Sequence, residues 1–544
     1  MINRITRLAG AFIIAIGAVM VQSPAPSQAA MTVQRFGGAD RYATAAAVSA
    51  AHFAAGAPVA YVATGLDFPD ALAGGPAAAR AGGPVLLVTR TGIPAPIATE
   101  LNRLRPGRII VLGSAAAVGD AVLRALDAYD TGGGVSRIAG PDRFATAAAV
   151  SAVTFAAGAA VAYVATGSTF PDALVGGVAA ARAGAPVLLA KQDALPAATE
   201  AELRRLAPGR IVVLGGPSAV GDGVVTRLRS LATSGTVTRI AGADRYATGV
   251  AVSKASFASA PSLFIATGRS FPDALVAVPA AANNGGALLL VPGTSVPGIV
   301  ATEAARLKPS RLVLLGSPQV LTDRVTFDLR VAIGDLRPLP TCAYQDVLTP
   351  FRSYSDWQRT LVDTMLMVPS SYAPGDLVDS ATAGLNGGHS LRTHVAADLK
   401  AVSAAARAAG RPVQLASAYR SYGTQKATFD HWVAVGGYEQ ALRTSARPGH
   451  SEHQLGTTFD FTSLNGRPPW EYADWASTPA GAWMAANAWR YGFVMSYPRN
   501  SFSKVCYDYE PWHYRYVGRT VAKQVRDSNL TLREWLWLNG TGAA

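Results

Sequence analysis

The sequence predicts a multidomain chain: three small α/β domains with parallel sheets in succession, then a C-terminal α+β domain. Three observations lead there. At 544 residues the chain is too long for a single hydrophobic core. Residues 34–333 repeat with a period of about 102, longer than the usual solenoid unit, so a whole small domain occurs three times. Past residue 337 the pattern stops and the composition changes, with all nine Trp, both Cys and six of the seven His in the C-terminal part.

Three anchors mark each copy. Gly38-Ala39-Asp40-Arg41-Tyr42-Ala43-Thr44 returns as Gly140-Pro141-Asp142-Arg143-Phe144-Ala145-Thr146 and as Gly242-Ala243-Asp244-Arg245-Tyr246-Ala247-Thr248. Phe68-Pro69-Asp70 returns at Phe170-Pro171-Asp172 and Phe271-Pro272-Asp273, and Val111-Leu112-Gly113 at Val213-Leu214-Gly215 and Leu314-Leu315-Gly316. In the first copy the Ala-rich stretch 43–53 predicts a helix. Residues 59–64 are an apolar, β-forming run closed by Gly65. Phe68-Pro69-Asp70 starts a second helix, with proline in the first turn and an acid near its positive end. Strands follow at 84–89 and 108–112, separated by an amphipathic stretch around Glu100, Asn102 and Arg103. Short apolar strands alternating with helices indicate a parallel sheet covered on both faces. The copies are bounded at 34–135, 136–237 and 238–333.

No strand is followed by a glycine-rich dinucleotide or P-loop fingerprint, so no nucleotide cofactor is expected in the copies. The recurring Asp-Arg pairs read either as ligand contacts or as caps and bridges within their own copy. The Pro-Asp pairs read as helix starts rather than catalytic acids. No His, Cys or Trp recurs from copy to copy, which points to binding or scaffolding.

Arg4 and Arg7, an apolar run over 8–21 and the small-residue exit Ser23-Pro24-Ala25-Pro26-Ser27-Gln28-Ala29-Ala30 form a secretory signal peptide over 1–30. The run is short for a bilayer span, and no transmembrane segment is expected after cleavage. Arg337-Pro338-Leu339-Pro340 marks a linker at 334–341, leaving 342–544 as one further domain. The formal charge is +13; residues 31–336 hold 26 basic and 19 acidic residues, and residues 337–544 hold 20 and 16. That surplus draws an exported protein toward anionic polymers, while no helix-turn-helix, zinc finger or aromatic RNA platform supports nucleic acid as partner. Cys342 and Cys506 are free to form a disulfide outside the cell or to remain separate thiols; neither lies in a CxxC pair suited to zinc.

In the last domain, helices are expected at 395–409 and 426–435, and strands at 412–417 and 457–461. The run Ser451-Glu452-His453-Gln454-Leu455-Gly456-Thr457-Thr458-Phe459-Asp460 is followed fifty residues later by Glu510-Pro511-Trp512-His513. Two imidazoles, a carboxylate ligand and a spare carboxylate are the inventory of a catalytic zinc with three protein ligands. Gly456 permits a tight return between His453 and the strand holding Asp460. The residues alone leave alternatives: His450 competes with His453 for the metal, the histidines are plain loop residues, or Glu510 pairs with Arg515. A serine peptidase is disfavoured, since neither Ser-x-x-Lys nor Gly-x-Ser-x-Gly supplies a nucleophile.

Two resemblances sharpen this reading. On the three anchors, residues 34–333 resemble the type 2 cell wall binding repeats of exported Gram-positive proteins. That resemblance implies three α/β domains about a pseudo-threefold axis, holding anionic wall polymers non-covalently. The third copy departs from the others, with Asn283-Asn284-Gly285 replacing the stretches that carry Arg80 and Arg182, which leaves equivalent ligand sites there open. On Ser451, His453, Gly456, Asp460, Glu510 and His513, with Ser417-Ala418-Tyr419-Arg420-Ser421 upstream, residues 372–517 resemble the zinc D-alanyl-D-alanine carboxypeptidases of the vancomycin-resistance type. Thr457-Thr458-Phe459 departs from the small apolar residues common before the aspartate. The resemblance implies one Zn2+ per catalytic domain on His453, Asp460 and His513, with His450 outside. It implies Glu510 as general base toward zinc-activated water and Arg420 as oxyanion stabiliser. Ser451, Gln425 and Trp512 would bind substrate, the stem peptides of peptidoglycan. The expectation is a secreted, wall-associated carboxypeptidase, with a peptidoglycan endopeptidase or a non-catalytic wall or surface-layer protein as the alternatives.

Overall fold

The computed structural model describes residues 31–351 and 356–540, so the expected leader at 1–30 lies outside the described residues. Residues 31–333 hold three four-stranded parallel sheets flanked by helices, and the remainder is a distinct α+β region, as the fold class predicted. Strands β1 (Thr32–Phe36), β2 (Ala60–Thr64), β3 (Val85–Val88), β4 (Ile109–Leu112) and β5 (Val135–Ile138) serve the first copy and its neighbours. The second copy adds β6 (Val161–Thr166), β7 (Val187–Ala190), β8 (Arg210–Leu214) and β9 (Thr236–Ile240); the third adds β10 (Ser262–Thr267), β11 (Ala287–Val291) and β12 (Arg311–Leu315). In each sheet the three strands from its own copy are buried along nearly their whole length, as parallel strands covered on both faces must be.

The sheets do not coincide with the sequence repeats. Their orders are β3-β2-β4-β5, β7-β6-β8-β9 and β11-β10-β12-β1. Each sheet therefore takes its fourth strand from the start of the following copy, and β1 closes the circle on the third sheet in the register Thr32↔Arg311 to Phe36↔Leu315. These fourth strands escaped sequence reading because they are half-exposed and carry polar residues, as in Val135-Ser136-Arg137-Ile138.

The first anchor turns out to be internal carpentry. Asp40 caps the helix Arg41–His52, its Oδ1 accepting from the N–H groups of Tyr42 and Ala43 at 3.0 and 2.8 Å. Thr44 Oγ1 accepts from Gly38 N–H at 3.1 Å, and Arg41 donates to the Gly65 carbonyl beyond β2. Arg143 repeats that bond to Gly167 at 2.7 Å. Each Asp-Arg pair thus caps and ties its own copy, while its arginine also lies beside the aspartate of another copy.

The second anchor builds the pseudo-threefold axis. Phe68, Phe170 and Phe271 meet with ring centroids 5.7, 5.8 and 6.2 Å apart. The aspartates beside them start helices and also face the next copy: Asp70 meets Thr146 and Arg143, Asp172 meets Arg245 and Thr248, and Asp273 meets Arg41 and Thr44. The third anchor makes room for them. Gly113, Gly215 and Gly316 have φ of +92°, +93° and +111°, and a Cβ there would come within 2.4, 2.3 and 2.9 Å of the aspartate oxygen.

Burial pushes Asp273 up from 3.8 to about 6, against the pull of Arg41 and Thr44. A folded pKa above the unfolded one stabilises the fold below about pH 4, and that contribution is lost as pH rises through about 6. Two pKa units correspond to about 3 kcal/mol. Asp273→Asn is expected to remove this dependence: denaturant unfolding at pH 4 and pH 7 should show the wild-type chain losing about 2 kcal/mol more than the variant over that interval, since at pH 4 the unfolded carboxyl is already partly ionised. Equal losses in both would refute the assignment.

Arg80 and Arg182 pack against the following copy. Their guanidinium carbons lie 5.4 and 5.1 Å from the ring centroids of Phe155 and Phe257 in the following copy. At the closing junction, where Asn283 replaces the arginine, His52 packs between Phe36 and Phe264 at 5.3 and 5.5 Å. Asn284 joins it at 3.3 Å and accepts from Arg311 at 3.2 Å. The substitution in the third copy thus belongs to a different interface chemistry.

Residues 334–341 run along a hydrophobic cluster shared by the third copy and the C-terminal region. Phe327, Leu336 and Leu339 pack with Val521, Val525, Trp535 and Leu536. Arg337 and Pro340 carbonyls accept from Trp537 Nε1 and Arg533 Nη1 at 3.1 and 3.3 Å, and Arg324 pairs with Glu534. Cys342 and Cys506 form a disulfide that ties this entry to the segment just before Glu510.

Candidate metal centre and active site

The C-terminal region is organised by an antiparallel sheet of the strands Val413–Ser417, Thr458–Ser463, His513–Tyr516 and Phe493–Met495, in that order. Strand alternation separates two faces. Phe459, Phe461, Tyr514 and Tyr516 enter the core with Phe493, which leaves Asp460, His513 and Arg515 on the opposite face. Asp460 and His513 are direct cross-strand partners, so sheet register alone brings them together.

His453 arrives from the 3₁₀ turn Glu452–Leu455, its own N–H capped by Ser451 Oγ. Gly456, at φ +72°, ends the turn and sends the chain into the strand of Asp460. One ligand atom from each of His453, Asp460 and His513 lies within 4.8 Å of the others, and all three residues are buried. His453 Nδ1 is 2.6 Å from the Ala418 carbonyl, leaving Nε2 toward Asp460 Oδ2 at 3.3 Å. His513 Nδ1 is 3.2 Å from Asp460 Oδ1 and 3.5 Å from Glu510. His453 Nε2 and Asp460 Oδ1 are buried with no well-formed hydrogen bond. Two imidazole nitrogens and a carboxylate oxygen converging with such atoms suit a zinc ion.

Burial would raise Asp460, but the two histidines outweigh it and hold its carboxyl well below the usual range. Burial lowers His453 to about 4, aided by Arg420. His513 goes the other way, to about 10, because hydrogen bonds to Asp460 and Glu452 overcome its burial. Burial pushes Glu510 up to about 8, with Asp460 adding to the rise and His513 and Arg420 opposing it. A dication held by the three ligand atoms would act on Glu510 in the opposite sense.

Every site residue expected from the sequence lines one cavity of about 560 Å³: His453, Asp460 and His513, then Glu510 and Arg420, then Ser451, Gln425 and Trp512. Arg420 Nη2 is 3.4 Å from Asp460 Oδ2, while Gln425 is fully buried and donates to the Ala446 carbonyl at 2.6 Å. His450 is elsewhere, bound to the Asp363 carbonyl at 2.8 Å and to Asp346 at 3.0 Å. The Glu510–Arg515 pairing does not form, because Arg515 pairs with Glu452 at 3.0 Å. Sequence reading missed Glu452 as a partner of His513, and missed His431, Trp432, Trp470, Tyr497 and Tyr507 in the cavity wall. The available signal for Glu452 was a charged residue wedged between two residues of the ligand run.

Comparison with known families matches the model for D-alanyl-D-alanine carboxypeptidase, VanY, over residues 388–519. Cell wall binding domain 2 matches at 35–123, 137–225 and 239–326. The chain carries three cell wall binding domains and a VanY-type carboxypeptidase domain. The repeats mark a secreted, cell-wall-associated protein. Among the described residues no helix is long and apolar enough to cross a membrane.

Similar proteins divide between the two parts. The putative carboxypeptidase YodJ of Bacillus subtilis is 37% identical over 179 residues, which is 32% of this chain and 65% of that protein. The N-acetylmuramoyl-L-alanine amidase LytC of the same organism is 25% identical over 299 residues, 55% of this chain and 58% of LytC. A D-alanyl-D-alanine carboxypeptidase of Enterococcus faecalis is 30% identical over 190 residues, 33% of this chain and 66% of that enzyme. The chain thus spans 58–66% of the length of these curated relatives. Among solved structures, Cwp8 from Clostridium difficile is similar with a TM-score of 0.52 and 25% identity, over 56% of this chain and 52% of Cwp8.

Proposed function

We propose that the protein is a wall-anchored zinc carboxypeptidase that hydrolyses the terminal D-Ala-D-Ala bond of peptidoglycan stem peptides. The observation that carries this reading is the convergence of His453, Asp460 and His513 with Glu510 and Arg420 on one cavity. Zinc held by those three side chains supplies a Lewis acid and lowers the pKa of water at the site. Glu510, beside His513 but free of the ligand set, accepts the proton of the attacking water and returns one to the departing amine. Arg420 donates to the oxygen on which negative charge develops, so its effect grows toward the transition state. Ser451 and Gln425 contribute polar groups to the same cavity, and Trp512 contributes apolar wall. The three cell wall binding domains, with their basic surplus, hold the enzyme to anionic wall polymers and concentrate it on its substrate.

The test is mass spectrometry after incubating the zinc-loaded chain with three soluble substrates: a pentapeptide ending in D-Ala-D-Ala, a tetrapeptide ending in one D-Ala, and a crosslinked peptide dimer. Loss of one alanine from the pentapeptide is expected. Cleavage of the tetrapeptide alone moves the specificity to an L,D bond, cleavage of the dimer alone favours the endopeptidase reading, and no cleavage favours the non-catalytic one. A parallel arm uses intact walls and walls stripped of anionic polymers. Alanine release should fall on the stripped walls while the soluble pentapeptide is cut at an unchanged rate.

A further inference from the structure

Glu452 is buried one residue before His453, yet it is absent from the cavity wall. It reaches instead behind His513. Its Oε2 lies 3.0 Å from His513 Nε2 and accepts from Ser496 Oγ at 2.6 Å, while its Oε1 accepts from Arg515 Nη1 at 3.0 Å. Arg515 is fully buried and spends its Nη2 on the carbonyls of Trp357 and Thr360, at 2.9 and 2.6 Å. A carboxylate and a guanidinium are thus enclosed together, with both carboxylate oxygens and both Nη groups engaged and only Arg515 Nε without a hydrogen-bond partner. Such a pair costs desolvation that apolar packing would avoid, so its placement against a ligand side chain asks for a reason.

We propose that Glu452, fixed by Arg515 and Ser496, is the positioning residue that holds the proton of His513 on Nε2 and turns its Nδ1 lone pair to the metal. The inference rests on the zinc reading above. An imidazole offers one nitrogen to a metal only if its other nitrogen carries the hydrogen, and the partner of that second nitrogen decides which is which. The two histidines of this site use opposite nitrogens. His453 is set by a neutral carbonyl on Nδ1 and presents Nε2; His513 is set by a carboxylate on Nε2 and presents Nδ1. The carboxylate also makes His513 a stronger donor than a carbonyl would. Arg515 lies two residues along the strand from His513 and on the same face, so one strand carries both the ligand and the counter-charge of the group that orients it.

The test compares zinc affinity of the full chain, by competition with a chromophoric chelator, in wild type, Glu452→Gln and Glu452→Leu. Visible spectra of the cobalt-substituted proteins report ligand geometry directly. Gln keeps an acceptor for Nε2–H but loses the charge; Leu loses both. Zinc should bind about 10-fold more weakly in the Gln variant and about 100-fold more weakly in the Leu variant, with the cobalt spectrum altered in that order. Thermal unfolding of the repeats should be unchanged. Should the Leu variant fail to fold, Glu452→Gln and Ser496→Ala carry the comparison. Affinities within twofold of wild type, with an unchanged cobalt spectrum, overturn the inference and leave the zinc reading standing. A wild-type chain that binds no zinc takes down both.

Discussion

Glu510→Gln is expected to retain one zinc per chain and to lose turnover by about 10³-fold, because on the proposed mechanism the amide cannot accept a proton from water while the three ligand side chains are untouched. His453→Ala and His513→Ala are expected to behave differently: each removes one of the three proposed ligands, so metal content and activity should fall together. His450→Ala should keep its zinc, since that imidazole is committed to Asp346 and the Asp363 carbonyl. Metal analysis and turnover measured on the same four purified variants decide the matter. A Glu510→Gln enzyme with near-normal turnover, or a His450→Ala chain that alone comes out empty, would reverse the division between base and ligands.

Glu303→Ala destabilises the ring by about 3 kcal/mol, the largest loss we expect from one side chain in the repeats. Glu303 is fully buried, accepts from Ser253 Oγ at 2.5 Å and pairs with Arg306 at 2.6 Å. Arg306 also donates to the Phe257 carbonyl at 2.8 Å, so the cluster ties the helix Arg245–Ser256 to the helix Gly298–Leu307. Glu100 and Glu202 repeat the arrangement with Ser49 and Arg103, and with Ser151 and Arg205. Removing the carboxylate leaves a serine hydroxyl without its acceptor and a guanidinium without its counter-charge. The loss should be seen as a lower melting temperature of the repeat region and as faster amide exchange in residues 245–256. Unchanged exchange there would show that the cluster is dispensable.

Much of the site was legible because its signals are short. His453, Gly456 and Asp460 fall in one run, Glu510 and His513 in another, and a donor set of two imidazoles and a carboxylate has few chemical uses. Glu452 lay in plain view but its meaning did not, since its partners Ser496, His513 and Arg515 stand 44, 61 and 63 residues away. The roles of Arg80 and Arg182 were hidden for the same reason: the ring each covers belongs to the next copy.

The triplication, the helix after each Asp-Arg pair and the buried strands follow from the sequence alone. Each rests on residues within a turn or a strand of one another, where spacing, capping and burial pattern act locally. Only the tertiary structure decided that Thr32–Phe36 closes the third sheet against Arg311–Leu315, and that His513 presents Nδ1 where His453 presents Nε2. Parallel strand pairing depends on which exposed edge the rest of the fold leaves open. An imidazole's orientation depends on which buried acceptor reaches its far side. Neither quantity is written in any short window of chain.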